Sequence, residues 1–191
     1  DAAKVATVVK PPLWVHYTLG ATVLFFVGNG ILLHETGRNH GVLSATAIDV
    51  GQGSSTLVRF PTDKIMLIDG GGFPNSVFDV GKYIVAPYLW RERIDAIDIV
   101  VLTHPHPDHL QGLIFILNNF SVGEVWSNGE KANSEEYREF LKIIQDRGIP
   151  HRRRSSQDEP IIVNDTRIEF LNPERLWTDE GNVVSYVEAN D

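Results

Sequence analysis

Apolar positions along this chain follow three different spacings, and each predicts a different kind of element. Residues 13–33 run LWVHYTLGATVLFFVGNGILL without a formal charge. As a helix this stretch would span about 30 Å, the thickness of a bilayer's hydrocarbon core. Trp14 and Tyr17 stand near one end, where an interfacial aromatic belt would put them. His16, Asn29 and the glycines dilute the pattern, although Gly, Thr and His are tolerated where one transmembrane helix packs on others. A transmembrane helix is the leading expectation, ahead of a buried or interfacial helix and of a signal peptide. Cleavage is disfavoured because the small-x-small site Ala45-Thr46-Ala47 falls inside the next predicted element, too far past the apolar run.

Beyond a short polar linker at 37–41, short apolar runs bounded by Gly, Pro and Asp predict strands over 42–50, 54–60 and 64–68. An unbroken run, Ile99-Val100-Val101-Leu102, predicts a strand buried on both faces. Further strands are predicted over 121–126 and 183–187, and a hairpin over 161–163 and 167–171 around Asn164-Asp165. Helical spacing appears over 76–89, over 110–117 and over 135–147, the last ending at Gly148 and Pro150. The domain organisation that follows is a membrane-anchoring segment and linker, 1–41, and a globular α/β (α+β) domain, 42–191.

Composition changes this picture only in part. Of 191 residues, 42% are hydrophobic, which suits a packed core, and none is Cys, so disulfides and thiolate ligands are excluded. A net charge of −8 excludes a protein that coats nucleic acid through bulk electrostatics. Lys4 and Lys10 precede the apolar segment, and Arg38 follows it with Glu35 nearby. By the positive-inside rule the amino end is cytoplasmic and the globular part lies outside, in an inner membrane's periplasmic space. His34 and His40 are expected to be interfacial or solvated.

Candidate chemistry is concentrated in Thr103-His104-Pro105-His106-Pro107-Asp108-His109, which holds three of the chain's seven histidines and a carboxylate. His104 and His106, two apart on extended chain, project to one side. Pro105 and Pro107 hold that geometry and delay the helix. Asp108 is expected at the N-cap and His109 in the first turn. The result is two ligand pairs, His104 with His106 and Asp108 with His109, which suit two neighbouring zinc or manganese ions. Gly112 would let the helix approach the site closely.

Asp49 and Asp69 end strands beside or near glycines, where a carboxylate can orient a metal-binding histidine or simply accept from a turn. His151-Arg152-Arg153-Arg154 is the dense basic patch. Arg152, Arg153 and Arg154 there are either a solvated loop or a contact for a DNA backbone.

HxHxDH after a buried strand, preceded by DVGQG (49–53) and IDGGG (68–72), resembles the metallo-β-lactamase superfamily. With Phe60-Pro61 and VAPYL (85–89), the wording is similar to the extracytoplasmic domain of ComEC-type DNA-internalisation competence proteins, over about residues 42–191. The resemblance implies an αββα sandwich and a two-metal site in which His104 and His106 hold one ion, Asp108 and His109 hold the other, and Asp108 is also catalytic. Asp49 and Asp69 would stand behind these ligands. It further implies a metal-dependent nuclease of a DNA-uptake channel that degrades the strand not imported, with single-stranded DNA, the membrane and other channel proteins as partners. Two departures matter. Ser54 stands where the family usually has an acid, and the later LTGD-like and HHG-like ligand segments are absent. The chain therefore reads as the amino-terminal half of the sandwich with half of the metal site. A small-ester metallohydrolase and a non-catalytic DNA-guiding domain are the alternatives.

Overall fold

The computed structural model describes residues 12–36, 41–74, 76–163 and 165–174. The strand expected over 183–187, the cations Lys4, Lys10 and Arg38, the side chains of His34 and His40, and most of the 37–41 linker lie outside them. The chain divides into two compact units, Asp1–Asn39 and His40–Asp191.

The described residues of the first unit form one helix, α1 (Leu13–Thr36). Leu13, Trp14, Tyr17, Leu19, Leu24, Phe25 and Phe26 are exposed along it. Its polar side chains satisfy themselves locally: the Thr18 and Thr22 hydroxyls donate to the Val15 and Thr18 carbonyls, and the Asn29 amide donates to Phe25. Among the described residues no helix is long and apolar enough to cross a membrane. The helix thus forms where the uncharged run predicted one, but the transmembrane span is not supported: His16, Thr18, Thr22 and Asn29 interrupt the apolar surface within its described part.

The second unit is built on a mixed sheet. Its strands are β1 (Ser44–Ala47), β2 (Thr56–Arg59), β3 (Ile65–Ile68), β4 (Ala96–Leu102), β5 (Ser121–Ser127) and β6 (His151–Arg153), paired in that order. The first two pairings are antiparallel and the last three parallel. Parallel neighbours need a crossover, and three are present. A π-helical turn, Gly81–Val85, runs into α2 (Ala86–Arg91); α3 (Pro107–Asn119) and α4 (Glu135–Asp146) serve the next two. The wide turn precedes Pro87, whose ring crowds the Tyr83 carbonyl and returns no N–H to it. The helix predicted over 76–89 is therefore irregular, and it begins at Gly81.

The main core lies between the sheet and these helices. Val100 and Leu102 of β4 meet Leu110, Leu113, Ile116 and Leu117 of α3 and Phe140 of α4 there, all essentially without solvent contact. Burying each such side chain contributes about 1.5–3 kcal/mol. The alternate positions Ile99 and Val101 face the other side with Phe60, Met66 and Trp126, where β7 (Ile161–Val163) and β8 (Thr166–Ile168) form an antiparallel hairpin. This explains the unbroken apolar run of β4, since both of its faces are covered. The described residues form one helix layer, one six-stranded sheet and a two-stranded second sheet.

Register brings chemistry to one edge. Ile68 lies abreast of Val101, Leu102 of Ser127, and Ser127 of Arg153. The carboxyl ends of four strands therefore line up, which is where open α/β sheets bind their ligands.

Candidate metal centre

Asp69 follows β3 directly and occupies this edge with 1% of its surface exposed. Its backbone is left-handed at φ 58°, a conformation that Asp tolerates better than most residues. Four contacts occupy its carboxylate. Oδ1 accepts from the Thr103 amide at 2.8 Å, while Oδ2 accepts from the Thr103 hydroxyl at 2.7 Å and from the Ser54 hydroxyl at 3.0 Å. His109 Nδ1 lies 2.8 Å from Oδ2. A carboxylate only accepts, so Nδ1 carries the proton and the Nε2 lone pair faces away from Asp69, free for a cation.

The same accounting sets His104. The one Thr103 hydroxyl proton is committed to Asp69, so toward His104 Nδ1, 3.1 Å away, that oxygen acts as acceptor. His104 is then also an Nδ1–H tautomer with its Nε2 lone pair directed outward. Burial, and secondarily the neighbouring His109 and His106 rings, lower its pKa, against the pull of Asp69 and Glu130. A neutral imidazole is the form that binds metal.

The helix enters two residues earlier than expected. Pro107 takes its first position, His106 is the N-cap with extended backbone, and Asp108 lies in the first turn rather than at the cap. Proline favours that first position because its missing N–H has no partner there. Asp108 is still well placed at the positive end of α3. Its carboxylate lies 3.8 Å from His109 Nε2, on the lone-pair side.

Glycines press the loops onto this turn. A Cβ on Gly53 would stand 1.7 Å from the Asp108 carbonyl oxygen, and one on Gly112 would stand 1.9 Å from that of Gly70. The Gly70 amide donates to His109 O at 2.8 Å, and the Gly112 amide to Gly71 O at 3.0 Å. The spacing of DVGQG and IDGGG thus serves one purpose: both loops seat against the backbone of the His-Pro-Asp-His turn.

The structure brings His104, His106, Asp108, His109 and Asp69 together and leaves Asp49 out. The ring centroids of His104 and His109 are 4.0 Å apart, and those of His104 and His106 are 4.7 Å apart. Asp49 is exposed and its carboxylate accepts from the Gly51 amide at 3.2 Å, the turn role rather than an orienting one. The basic patch also separates. It forms a strand, not a loop, so alternation sends its arginines to different faces. Arg152 pairs with Glu124 at 2.6 Å. Arg154 lies over Trp126 and Phe170, with its guanidinium carbon 5.0 and 5.5 Å from the ring centroids. Arg153 is left exposed on the side of His151 and Tyr137.

Three participants escaped the sequence reading. Ser54 and Thr103 hold Asp69, and Glu130 lies close enough to His104 to act on its charge. Hydroxyl-to-carboxylate bonds carry no periodicity, so only the position of Ser54 after DVGQG could have flagged the first.

The donors suit a divalent ion in type and tautomer but not in number. Among the described residues no group of three or more His, Cys, Asp or Glu side chains could hold a metal ion. The complete two-metal site is therefore not formed by these residues: the histidine rings lie against one another, and a tetrahedral ion needs about four donors.

A model of the family described as "Metallo-beta-lactamase superfamily" matches residues 48–183. The chain belongs to the metallo-β-lactamase superfamily. Members of that superfamily usually bind divalent metals, and the donor types at the His-Pro-Asp-His turn agree with that. The chain is also similar to ComE operon protein 3 of Bacillus subtilis (strain 168), at 23% identity over 138 residues. That alignment covers 66% of this chain and 18% of the relative, so the chain spans less than a fifth of the relative's length. The resemblance to ComEC-type proteins read from the motifs agrees with this likeness.

Proposed function

We propose that this metallo-β-lactamase domain is a metal-dependent phosphodiesterase that cleaves single-stranded DNA as part of a competence-related uptake system. The observation that carries the reading is the Asp69-centred network, which directs the Nε2 lone pairs of both His104 and His109 outward, that of His109 beside the Asp108 carboxylate. His104 and His106 would hold one zinc or manganese ion, and Asp108 and His109 a second, each completed by donors outside the described residues. Ions so held supply Lewis acidity and lower the pKa of water, the chemistry a phosphodiester requires. Asp69 keeps both imidazoles in one tautomer through His109 and Thr103. The first turn of α3 adds its positive end toward an anionic substrate. The likeness to a ComE operon protein supports the DNA-uptake role.

The exposed apolar side chains of α1 support association with a membrane surface, beside other channel proteins.

The test is a cleavage assay on the full-length protein carrying this domain, loaded with manganese or zinc. It compares end-labelled single-stranded DNA, the matching duplex and a small aryl ester. Chelator-sensitive cleavage of the single strand supports the proposal. Ester hydrolysis without DNA cleavage would replace it with a small-ester metallohydrolase, and metal-loaded protein that binds DNA without cutting would favour the guiding role.

A further inference from the structure

The loop that leaves the candidate metal centre carries an aromatic ladder whose two outer rings neither the core nor the proposed chemistry uses. Phe73 follows the triple glycine, and its amide donates to the Gln111 side chain at 3.0 Å, three residues past Asp108 on α3. Phe73 packs on the core, and its ring edge would meet a Cβ placed on Gly51 at 3.0 Å. The Phe78 ring meets it edge-on at 6.2 Å, and the Tyr83 ring stacks on Phe78 at 5.4 Å with 27° between their planes.

Phe78 and Tyr83 are 43% and 56% exposed, and neither is among the side chains packed against either core cluster. Local hydrogen bonds hold the ladder. The Ser76 hydroxyl accepts from the Phe78 amide at 3.1 Å, Asp79 Oδ1 accepts from the Lys82 amide at 2.9 Å, and the Asp79 carbonyl accepts from the Tyr83 amide at 3.0 Å. Lys82 places its ammonium 5.1 Å from the Tyr83 ring centroid. On a protein of net charge −8, this puts a cation at the outer end of a row of aromatic rings that starts beside the metal loop and whose last two members are exposed.

The geometry points to a base-stacking platform for single-stranded DNA, formed by Phe78 and Tyr83 with Lys82 for a phosphate, that leads a strand toward the His-Pro-Asp-His turn. Aromatic faces take any base, because every base has a π-face, and a neighbouring cation meets the backbone. A duplex keeps its bases stacked on one another and has no free face to offer. A buried role for the rings is set aside by their exposure, and an acyl chain would have no use for Lys82. The inference rests on the single-strand reading above and adds the surface by which the strand is held.

The test is fluorescence anisotropy on the full protein in chelator, which stops cleavage. The probes are labelled oligo-dT of about 12 nucleotides, an abasic oligomer of equal length and the matching duplex. Phe78→Ala and Tyr83→Ala, checked for folding by circular dichroism, should each weaken oligo-dT binding on the order of tenfold and barely change abasic binding. Phe78→Trp should restore affinity. If folded variants bind oligo-dT as tightly as the parent, the platform is wrong and the phosphodiesterase reading stands. If the abasic oligomer binds as well as oligo-dT, backbone charge does the work and the platform is equally wrong. If the variants instead lose binding to vesicles of anionic phospholipid while no oligomer binds, the surface is a lipid contact and the single-strand reading falls with it.

Discussion

The Asp69 carboxylate lies 2.8 Å from His109 Nδ1 while also accepting from Thr103 and Ser54. One buried side chain on β3's edge thereby orients two imidazoles that leave β4. Asp69→Asn keeps the shape but turns an N–H₂ toward groups that donate. Zinc affinity should fall roughly 10- to 100-fold, and stability by about 1–3 kcal/mol, because donors buried around it lose their acceptor. Calorimetric zinc titration and urea unfolding measure the two effects separately. Unchanged zinc affinity in the folded variant would show that His109 needs no orienting partner.

Gly112 tests the close seating of α3. Helix propensity alone says that Gly112→Ala should stabilise by about 1 kcal/mol. The new Cβ would stand 1.9 Å from the Gly70 carbonyl oxygen, and backbone cannot swing aside as a flexible side chain does. Destabilisation of about 1–3 kcal/mol is expected, read from the urea midpoint at constant m-value. A gain in stability would mean that the loop and helix are less closely apposed than described.

Much of this arrangement was legible in the sequence where hydrophobic spacing is strong. The four apolar residues ending β4, the amphipathic α4 behind its Ser134 cap, and the His-Pro-Asp-His turn all emerge in place. Boundaries and regularity shifted where proline chemistry acts: Pro107 pulled the start of α3 forward from Leu110, and Pro87 follows a π-helical turn within the helix expected over 76–89. β6 escaped because a strand of His and Arg has no apolar alternation to betray it. It is held by main-chain pairing to β5 and by the polar contacts of Arg152 with Glu124 and of His151 with Ser127, none of which leaves an apolar pattern. The partners of Asp69 escaped for a related reason, since Ser54 and Thr103 are fifteen and thirty-four residues from it in sequence.

His151 gives a pH dependence outside the metal loop. It is half-buried, with Nε2 2.9 Å from the Ser127 hydroxyl and its ring edge-on to Phe140. Burial first, then Arg153, lower its pKa below the ordinary 6.5. The unfolded chain therefore takes up this proton at higher pH than the folded one. The stability it contributes is complete above about pH 6.5 and is lost as pH falls through the folded value. His151→Gln should flatten the decline in unfolding free energy below pH 6.5. An unaltered slope would assign that decline to other groups.

Metal binding by these 191 residues should be weak, because two donors per ion fall short of the usual four and no three-donor group exists among the described residues. Calorimetry with zinc or manganese is expected to show no nanomolar site. A nanomolar site abolished by His104→Ala would mean that the chain completes the centre itself.

The most direct test of the central claim is the rate of single-stranded DNA cleavage by Asp108→Ala in the full-length, metal-loaded protein. Asp108 lies at a helix end beside His109 and is partly exposed rather than in the core, so its loss should leave circular dichroism unchanged and lower stability by no more than about 1 kcal/mol. Cleavage should be abolished, while Arg153→Ala should only weaken binding and reduce its salt dependence. A folded Asp108→Ala protein that cuts DNA at the parent rate would contradict the assignment of this turn as a hydrolytic metal centre.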